Sequence, residues 1–562
     1  MDTFTAPPFT AADHRVPYEI PEVPDSAWSA APSRRRDRVS RLLLLCVLVI
    51  QAALSLRLRN TADTPEANAL VVGRAEVAHL LHSTPISTDL VHRFPGAPWF
   101  YPTLAGFGES WDRVAGARLI GLLCALATTA VLYALSRRLF NERVALIAAA
   151  AYAVLQSTVV LGFYASPDAL AVLLVTVAAW VVVRTGRRNP LWVLAASVPA
   201  GLAVAAEYAA LVVLPSLALL AVLTAAKHRG WGASLLRGLL LLAPALGLLL
   251  PFGGTRQALT GLDGALTRGH GGAGALDTLW LAGRLGGLFV LIAVAGGVAY
   301  ILRERMNEAP EAEYRHDSRL LRVLLVVLLC GTAGLVPVYQ AAVGDQTALA
   351  RHLALGLVFA APLVGVGISR VTGAHFRNPQ LGILLWVLTL ALGVHQSAQQ
   401  FQGWPDGSAL LSTLDSRVDA KGQYLTQVDG LGAYYLDART TPGQWVSAAV
   451  GLPTGQDATL AAVRSGSFQV VVLDSAVTGP TSSGLAAAVT GSHRYTLLKE
   501  IHYLGAGGHV YSYRVYVLTP PASKKPVHAH RPTRTAKPGA TKTGTAKTGT
   551  TVKKTTKAPA TH

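Results

Sequence analysis

The chain has 562 residues, 51% of them hydrophobic and only 14% charged, and a formal net charge of +18. Soluble domains carry about 25% charged residues, so long Leu/Ala/Val/Gly runs between about residues 42 and 397 exclude a water-soluble core there. The charge does not imply nucleic acid: from Pro520 to His562 there are ten Lys and Arg and no acid, and much of the remaining excess is Arg flanking apolar runs.

Residues 1–33, rich in Pro, Ala and acids, read as a disordered arm that ends, by residue 40, in Arg34, Arg35, Arg36 and Arg38. Eleven membrane spans are then predicted, at about 41–57, 115–135, 144–163, 168–183, 190–206, 208–226, 235–252, 285–302, 320–340, 352–369 and 379–396. They form a transmembrane domain over 41–397. The runs lack the ten-residue alternation of a barrel, so they are helices, which satisfy their own backbone in lipid. The fifth and sixth share one run broken near Glu207. Short loops with Arg137, Arg138 and Arg143, with Arg184, Arg187 and Arg188, with Lys227, Arg229 and Arg237, with Arg303 and Arg305, and with Arg370 and Arg377 read, with the N-terminal Arg cluster, as cytoplasmic. Eleven spans leave everything after 397 outside the cytoplasm. Cys46, Cys124 and Cys330 all lie in apolar runs and read as packing residues. The first span, with long sequence before its Arg cluster and no cleavage site, reads as a retained signal-anchor.

Outside the bilayer, residues 58–114 form a long first outer loop, 254–284 a Gly-rich second and 342–351 a short third. Residues 405–517 change character. Strand-like Phe468–Asp474 and Val510–Leu518 alternate with helix-like Asp457–Arg464 and Ser483–Val489, which predicts a small extracytoplasmic α/β domain. The tail, 520–562, repeats Lys-Thr-Gly-Thr-like units among Pro and Ala, reads as disordered, and would be drawn by charge to anionic envelope polymers or headgroups.

Three polar groups at the outer rim are candidates for chemistry. Asp63 and Glu66, in Asn60-Thr-Ala-Asp-Thr-Pro-Glu66, can supply a general base at headgroup level; the same residues also spell a helix start. Tyr164-Ala-Ser-Pro-Asp168 carries an acid at the rim of a membrane cavity, and Ser166, Pro167 and Asp168 equally suit a helix N-terminus. Arg93, Arg118, Arg256, Arg268, Arg284, Arg351 and His352 can pair with a lipid-linked phosphate or merely reach for headgroups. Glu76, His79 and His82, spaced by three, are weaker metal-ligand candidates; an amphipathic helix explains them as well.

The stretch from Asn60 to about Arg188 resembles the polytopic glycosyltransferases that use polyprenyl-phosphate sugars, the GT-C fold, which includes protein O-mannosyltransferases and lipid A aminoarabinose transferases (family 39-like). Glu66-Ala-x-x-Leu70 running into Gly73–His82, Phe94-Pro-Gly-Ala-Pro-Trp-Phe-Tyr-Pro102, Gly116-Ala-Arg-Leu119, Arg137-Arg-Leu-Phe140 and Tyr164–Asp168 carry the match, with Gly432-Ala-Tyr-Tyr-Leu436 and Gln444-Trp445 further on. The resemblance implies a polyprenyl-phosphate sugar as donor and inversion at the anomeric carbon. It makes Asp63 or Glu66 the base and Asp168 a supporting acid. Arg93, Arg118, Arg268, Arg351 and His352, with Tyr101 and Tyr164, would bind substrate, and a divalent metal is possible. The sequence departs from the family pattern at Pro65, which stands where an adjacent acid is expected. The leading reading is therefore a glycosyltransferase of the cell membrane, multi-pass, with a cytoplasmic N-terminus, acting on an extracytoplasmic acceptor. The alternative is a catalytically degenerate relative that anchors the envelope as a membrane scaffold. A transporter fits less well, because the spans are nearly free of buried charge and no inverted repeat is evident.

Overall fold

The computed structural model describes residues 34–519 apart from 58, 87–99, 251–273, 303–317, 345, 347, 374–378, 429, 449–450, 453–454 and 506–507. Residues 1–33, most of the Phe94–Pro102 motif, residues 254–273 of the Gly-rich outer loop with Arg256 and Arg268, Arg93, and the tail beyond 519 lie outside the described residues, whereas residues 34–40 of the expected arm and 275–284 of the expected loop are helical, continuous with the apolar runs that follow them.

The first part is helical: α1 (Arg34–Ser55), α2 (Thr64–His82), α3 (Tyr101–Leu139), α4 (Glu142–Ala153), α5 (Gln156–Phe163), α6 (Pro167–Arg184), α7 (Leu194–Ala206), α8 (Leu214–Gly247), α9 (Ala275–Leu302), α10 (Arg319–Val343), α11 (Leu349–Thr372) and α12 (Pro379–Gln402). Each of the eleven expected spans overlaps one or two of these helices, with Pro190–Val193 and Tyr208–Val213 forming 3₁₀ turns ahead of α7 and α8 and residues 251–252 outside the described residues. Among the described residues nine segments are long and apolar enough to cross a membrane, or ten if α4 and α5, bent by 65°, count as one. The remaining expected span, Pro190–Ala206, is helical but short. The run expected to break near Glu207 does so: Glu207 turns extended and caps the next turn, accepting a bond from Ala209 N at 3.4 Å.

Two helices are bent by backbone that a helix cannot hold. In α3, Asp112 and Arg113 (φ 45°) separate residues 101–111 from the span that follows. In α8, Gly230 adopts φ 71°, a conformation open to glycine without a Cβ clash, and it splits two spans. Small residues let the helices approach. Gly73 and Gly106 meet where α2 crosses the first arm of α3: a Cβ on Gly106 would lie 2.5 Å from the Gly73 carbonyl oxygen. The central helix, α11, is almost wholly buried, with Gly365 against α4 and Gly367 against α9. Arg237, expected in a cytoplasmic loop, is instead buried and donates to Val182 O and Thr185 Oγ1 (2.6 Å each) and to Thr185 O (3.0 Å), capping the end of α6.

After α12 the chain forms α13 (Ser408–Asp415), β1 (Tyr424–Thr426), α14 (Leu431–Tyr435), β2 (Trp445–Ser447), α15 (Gln456–Ser465), β3 (Val470–Asp474), α16 (Pro480–Gly491), β4 (Tyr495–Leu504) and β5 (Val510–Leu518). The sheet order is β2-β1-β3-β5-β4. The first three strands are parallel and β5 and β4 run antiparallel, with Val470 opposite Val517 and Tyr503 opposite Tyr511. One face packs on α15 and α16 through Val463, Val471, Leu485 and Val489. The other, with Val470, Val472, Tyr513 and Val515, shares a continuous core with the bundle. Sheet and bundle are thus joined by packing, at the end of the bundle that carries Asp63.

Candidate active site

The site is built on the extended link between α1 and α2. Asp63 (φ −77°, ψ 167°) is the N-cap of α2 and accepts a bond from Thr64 N at 2.7 Å. Glu66, three residues on, returns Oε2 to Asp63 N at 3.2 Å. This is a capping box, and Pro65 sits in the first turn, where its missing N–H costs nothing. The departure at Pro65 therefore has a local structural reason.

Glu66 is fully buried and saturated. Its Oε1 accepts from Arg118 Nε at 3.0 Å and Ala165 N at 2.8 Å; its Oε2 accepts from Arg118 at 2.7 Å as well as from Asp63 N. A carboxylate offers about four lone-pair sites, and all are used. Arg118 goes on to Asn60 O at 3.1 Å and Thr61 O at 3.2 Å. Glu66 and Arg118 thus tie α2, α3 and the α5–α6 turn together, which fills the acceptor sites of Glu66 and commits most of the Arg118 guanidinium.

Asp63 differs. It is half-buried. Burial raises its carboxyl above the usual aspartate range; the Thr64 amide opposes this, Glu66 adds to it, and Arg351 and the Tyr164 hydroxyl oppose it. A carboxylate shifted toward neutrality is a better general base than an ordinary one.

Asp168 sits in the first turn of α6. Ser166 stands at the N-cap, yet its hydroxyl goes to Asp168 Oδ2 at 2.8 Å, not to the helix backbone. Arg351 Nε donates to the same oxygen at 2.9 Å, and His352 Nε2 lies 3.1 Å from Oδ1. The Gln340 amide contacts His352 Nδ1 and fixes the ring. The Arg351 guanidinium lies 4.6 Å over the Tyr164 ring and within electrostatic reach of Asp63. Arg351 therefore pairs with Asp168 and lies near enough to Asp63 for its charge to act there. Tyr101 is buried, within electrostatic reach of Glu66 and Asp168.

The weak metal set at Glu76, His79 and His82 is not assembled. Three residues advance a helix by about 300°, so the third member is rotated by about 120° from the first. Glu76 is buried while His79 and His82 are exposed, and His79 Nδ1 lies 2.8 Å from Thr84 O. A different set converges: Asp168, Glu207 and His352 bring one ligand atom each within 4.8 Å of one another. Two carboxylates and an imidazole oriented through its second nitrogen suit a divalent cation, and Asp168 Oδ1 is buried without a hydrogen bond of good geometry. Glu207 was legible only as an acid interrupting an apolar run; its nearness to Asp168 required the fold. Arg284 stacks on Trp280 at 4.8 Å and takes no part in the hydrogen bonds of Asp63, Glu66 or Asp168.

The helical bundle, with the sheet packed at the end that carries Asp63, is a multi-pass membrane protein of the GT-C fold. Residues 95–252 match the model of the dolichyl-phosphate-mannose-protein mannosyltransferase family. The structure is similar to that of ArnT from Cupriavidus metallidurans bound to undecaprenyl phosphate, at 14% identity over 86% of this chain and 98% of that one (TM-score 0.50). It is also similar to the oligosaccharyltransferase AglB from Archaeoglobus fulgidus, in complex with an inhibitory peptide and a dolichol-phosphate, at 12% identity over 88% and 76% (TM-score 0.48). No curated protein sequence matches the chain.

Proposed function

We propose that the protein is an inverting glycosyltransferase that moves a sugar from a polyprenyl-phosphate carrier to a hydroxyl acceptor, with Asp63 as the general base. The observation that carries this reading is the division of labour among the acids. Glu66 has every lone pair occupied, Asp168 is held by Ser166, Arg351 and His352, and Asp63 is only partly buried, with its carboxyl raised above the usual aspartate range. The family matched over residues 95–252 supports the donor class. The Arg distribution supports a cytoplasmic N-terminus, which puts Asp63 on the opposite side of the membrane.

In this mechanism the acceptor oxygen attacks the anomeric carbon as its proton passes to Asp63. The bond between that carbon and the phosphate oxygen breaks, and the polyprenyl phosphate leaves with the electron pair. Attack from the face opposite the leaving group inverts the centre. Arg351, fixed by Asp168 and stacked on Tyr164, turns its remaining N–H groups toward the donor phosphate, and its charge stabilises the leaving group. A divalent cation held by Asp168, Glu207 and His352 would add further positive charge on that side.

The test is transfer from radiolabelled polyprenyl-phosphate mannose and, in parallel, a polyprenyl-phosphate pentose in membranes, comparing wild type with Asp63→Asn at matched protein levels. Asn remains a good N-cap, so the variant removes the base and keeps the helix start. A loss of about 10²–10⁴-fold is expected. Transfer at the wild-type rate by Asp63→Asn refutes the base assignment. A wild type inert with mannose and pentose carriers favours the scaffold reading.

A further inference from the structure

The extended link that carries Asp63 is held from the far end of the sequence as well as from its neighbours. Trp404, just past α12, donates its indole N–H to Thr61 O at 3.1 Å and accepts from Asn60 Nδ2 through its carbonyl at 3.1 Å. Gly407 N donates to Thr61 Oγ1 at 2.8 Å. Ala62, buried, donates its N–H to the Tyr435 hydroxyl at 2.8 Å. Together with Arg118 and Glu66, these partners bind the link residue by residue from 60 to 63.

The contacts reach the other half of the site too. The Trp404 ring meets Tyr164 edge-on at 5.2 Å and lies under Arg118 at 5.8 Å, while Arg351 covers Tyr164. Tyr435 ends α14, and α14 approaches the first turns of α2 closely: at Gly430, in a left-handed conformation (φ 78°), a Cβ would lie 2.5 Å from Asn68 Oδ1. The segment is therefore shaped to bring the Tyr435 hydroxyl to the link.

We infer that Tyr435 and Trp404 are positioning residues for the Asp63 carboxylate, so that the chain after the last span is part of the catalytic apparatus. This rests on the glycosyltransferase reading above. A shift of about 1 Å in a reacting group costs about 10²-fold in rate, and without the Tyr435 hydroxyl the Ala62 N–H is left buried and unpaired. The link then has reason to move, and Asp63 with it.

The experiment uses the full chain in native membranes with whichever radiolabelled polyprenyl-phosphate sugar, mannose or pentose, the wild type transfers as probe. Tyr435→Phe and Trp404→Phe are compared with wild type, Asp63→Asn and Tyr503→Phe, which removes a hydroxyl from the same part of the chain that bonds Asp474. For Tyr435→Phe the expected result is a kcat lower by about 10–100-fold, with an unchanged KM for the donor and a folded fraction at the assay temperature equal to wild type, because the orphaned Ala62 N–H lowers the melting midpoint without unfolding the protein there. Tyr503→Phe is expected to behave as wild type. Amide exchange over residues 60–66 is expected to quicken in Tyr435→Phe and Trp404→Phe alone. A wild-type kcat in Tyr435→Phe, while Asp63→Asn is inactive, overturns the inference and leaves the function standing. So does a kcat that falls only in step with the folded fraction. If wild type transfers nothing, the functional reading fails and exchange alone decides: faster exchange confined to 60–66 upholds the positioning contact, and unchanged exchange overturns it.

Discussion

Replacing Glu66 by Gln probes the node on which the site is built. Four donors converge on this carboxylate: two from Arg118, one from Asp63 N and one from Ala165 N. Gln offers one acceptor oxygen, and its amide NH2 would face donors instead of accepting from them. At least one buried donor would be orphaned and the Arg118 charge left unpaired, with Glu66 fully buried and the Arg118 side chain only 11% exposed. Breaking a buried pair on one side costs about 3–5 kcal/mol. The assay is thermal melting of the detergent-solubilised protein, followed by tryptophan fluorescence. A midpoint several degrees below wild type is expected. The double variant Glu66→Gln/Arg118→Gln should melt no lower than the worse single variant, because it removes the unpaired charge. A Glu66→Gln midpoint within a degree of wild type would refute the structural assignment of Glu66 and return it to the list of candidate bases.

Further outcomes are expected at the other positions. The Asp63 carboxyl is raised, so on acidification it gains its proton before an ordinary aspartate does. Transfer should therefore fall along an acid limb with a midpoint above about 3.9, read from kcat against pH. The sign for stability is opposite to that of a salt-bridged acid: the charged form of Asp63 is disfavoured in the fold above that pKa. Asp63→Asn, which keeps the cap, should accordingly not lower the melting midpoint at neutral pH. Arg351→Lys keeps the charge and loses the planar fork; the KM for the donor should rise about tenfold or more, and an unchanged KM would remove Arg351 from phosphate binding. If a cation sits at Asp168, Glu207 and His352, metal analysis of the purified protein should find it, and Glu207→Gln should lower the stoichiometry. Gly73→Leu would drive a side chain into the Pro102–Gly106 backbone, and a sharply reduced yield of folded protein should report it.

Much of this was legible along the chain. Span positions followed from apolar length alone, because a bilayer demands about twenty apolar residues per helix. The helix start at Asp63–Glu66 and the turn at Ser166–Asp168 followed from local signals that act within a few residues. So did β3 and β5, with α15 before β3 and α16 after it. Local signals could not tell Asp63 from Glu66 as base, since both are acids in one short segment. Only the arrival of Arg118 and Ala165, far away in sequence, saturates one and spares the other.

The same limit explains what was missed. Glu207 reads as a break in an apolar run until α11 brings His352 beside it (Nε2 to Oε1, 3.9 Å). Arg237 reads as a loop cation until the end of α6 is seen to lie against it. Tyr435 and Trp404 carry no signal toward residues more than 340 positions earlier. What the sequence determined by itself is the membrane character, the helical and strand segments, and the short list of rim residues. Those depend on hydrophobic length, periodicity and capping, which are properties of contiguous residues. The tertiary structure alone decided which acid has its lone pairs filled, which arginine pairs with Asp168, and which distant residues hold the link that carries Asp63. Those are set by which helices pack side by side, and the pattern of any one segment does not contain that information.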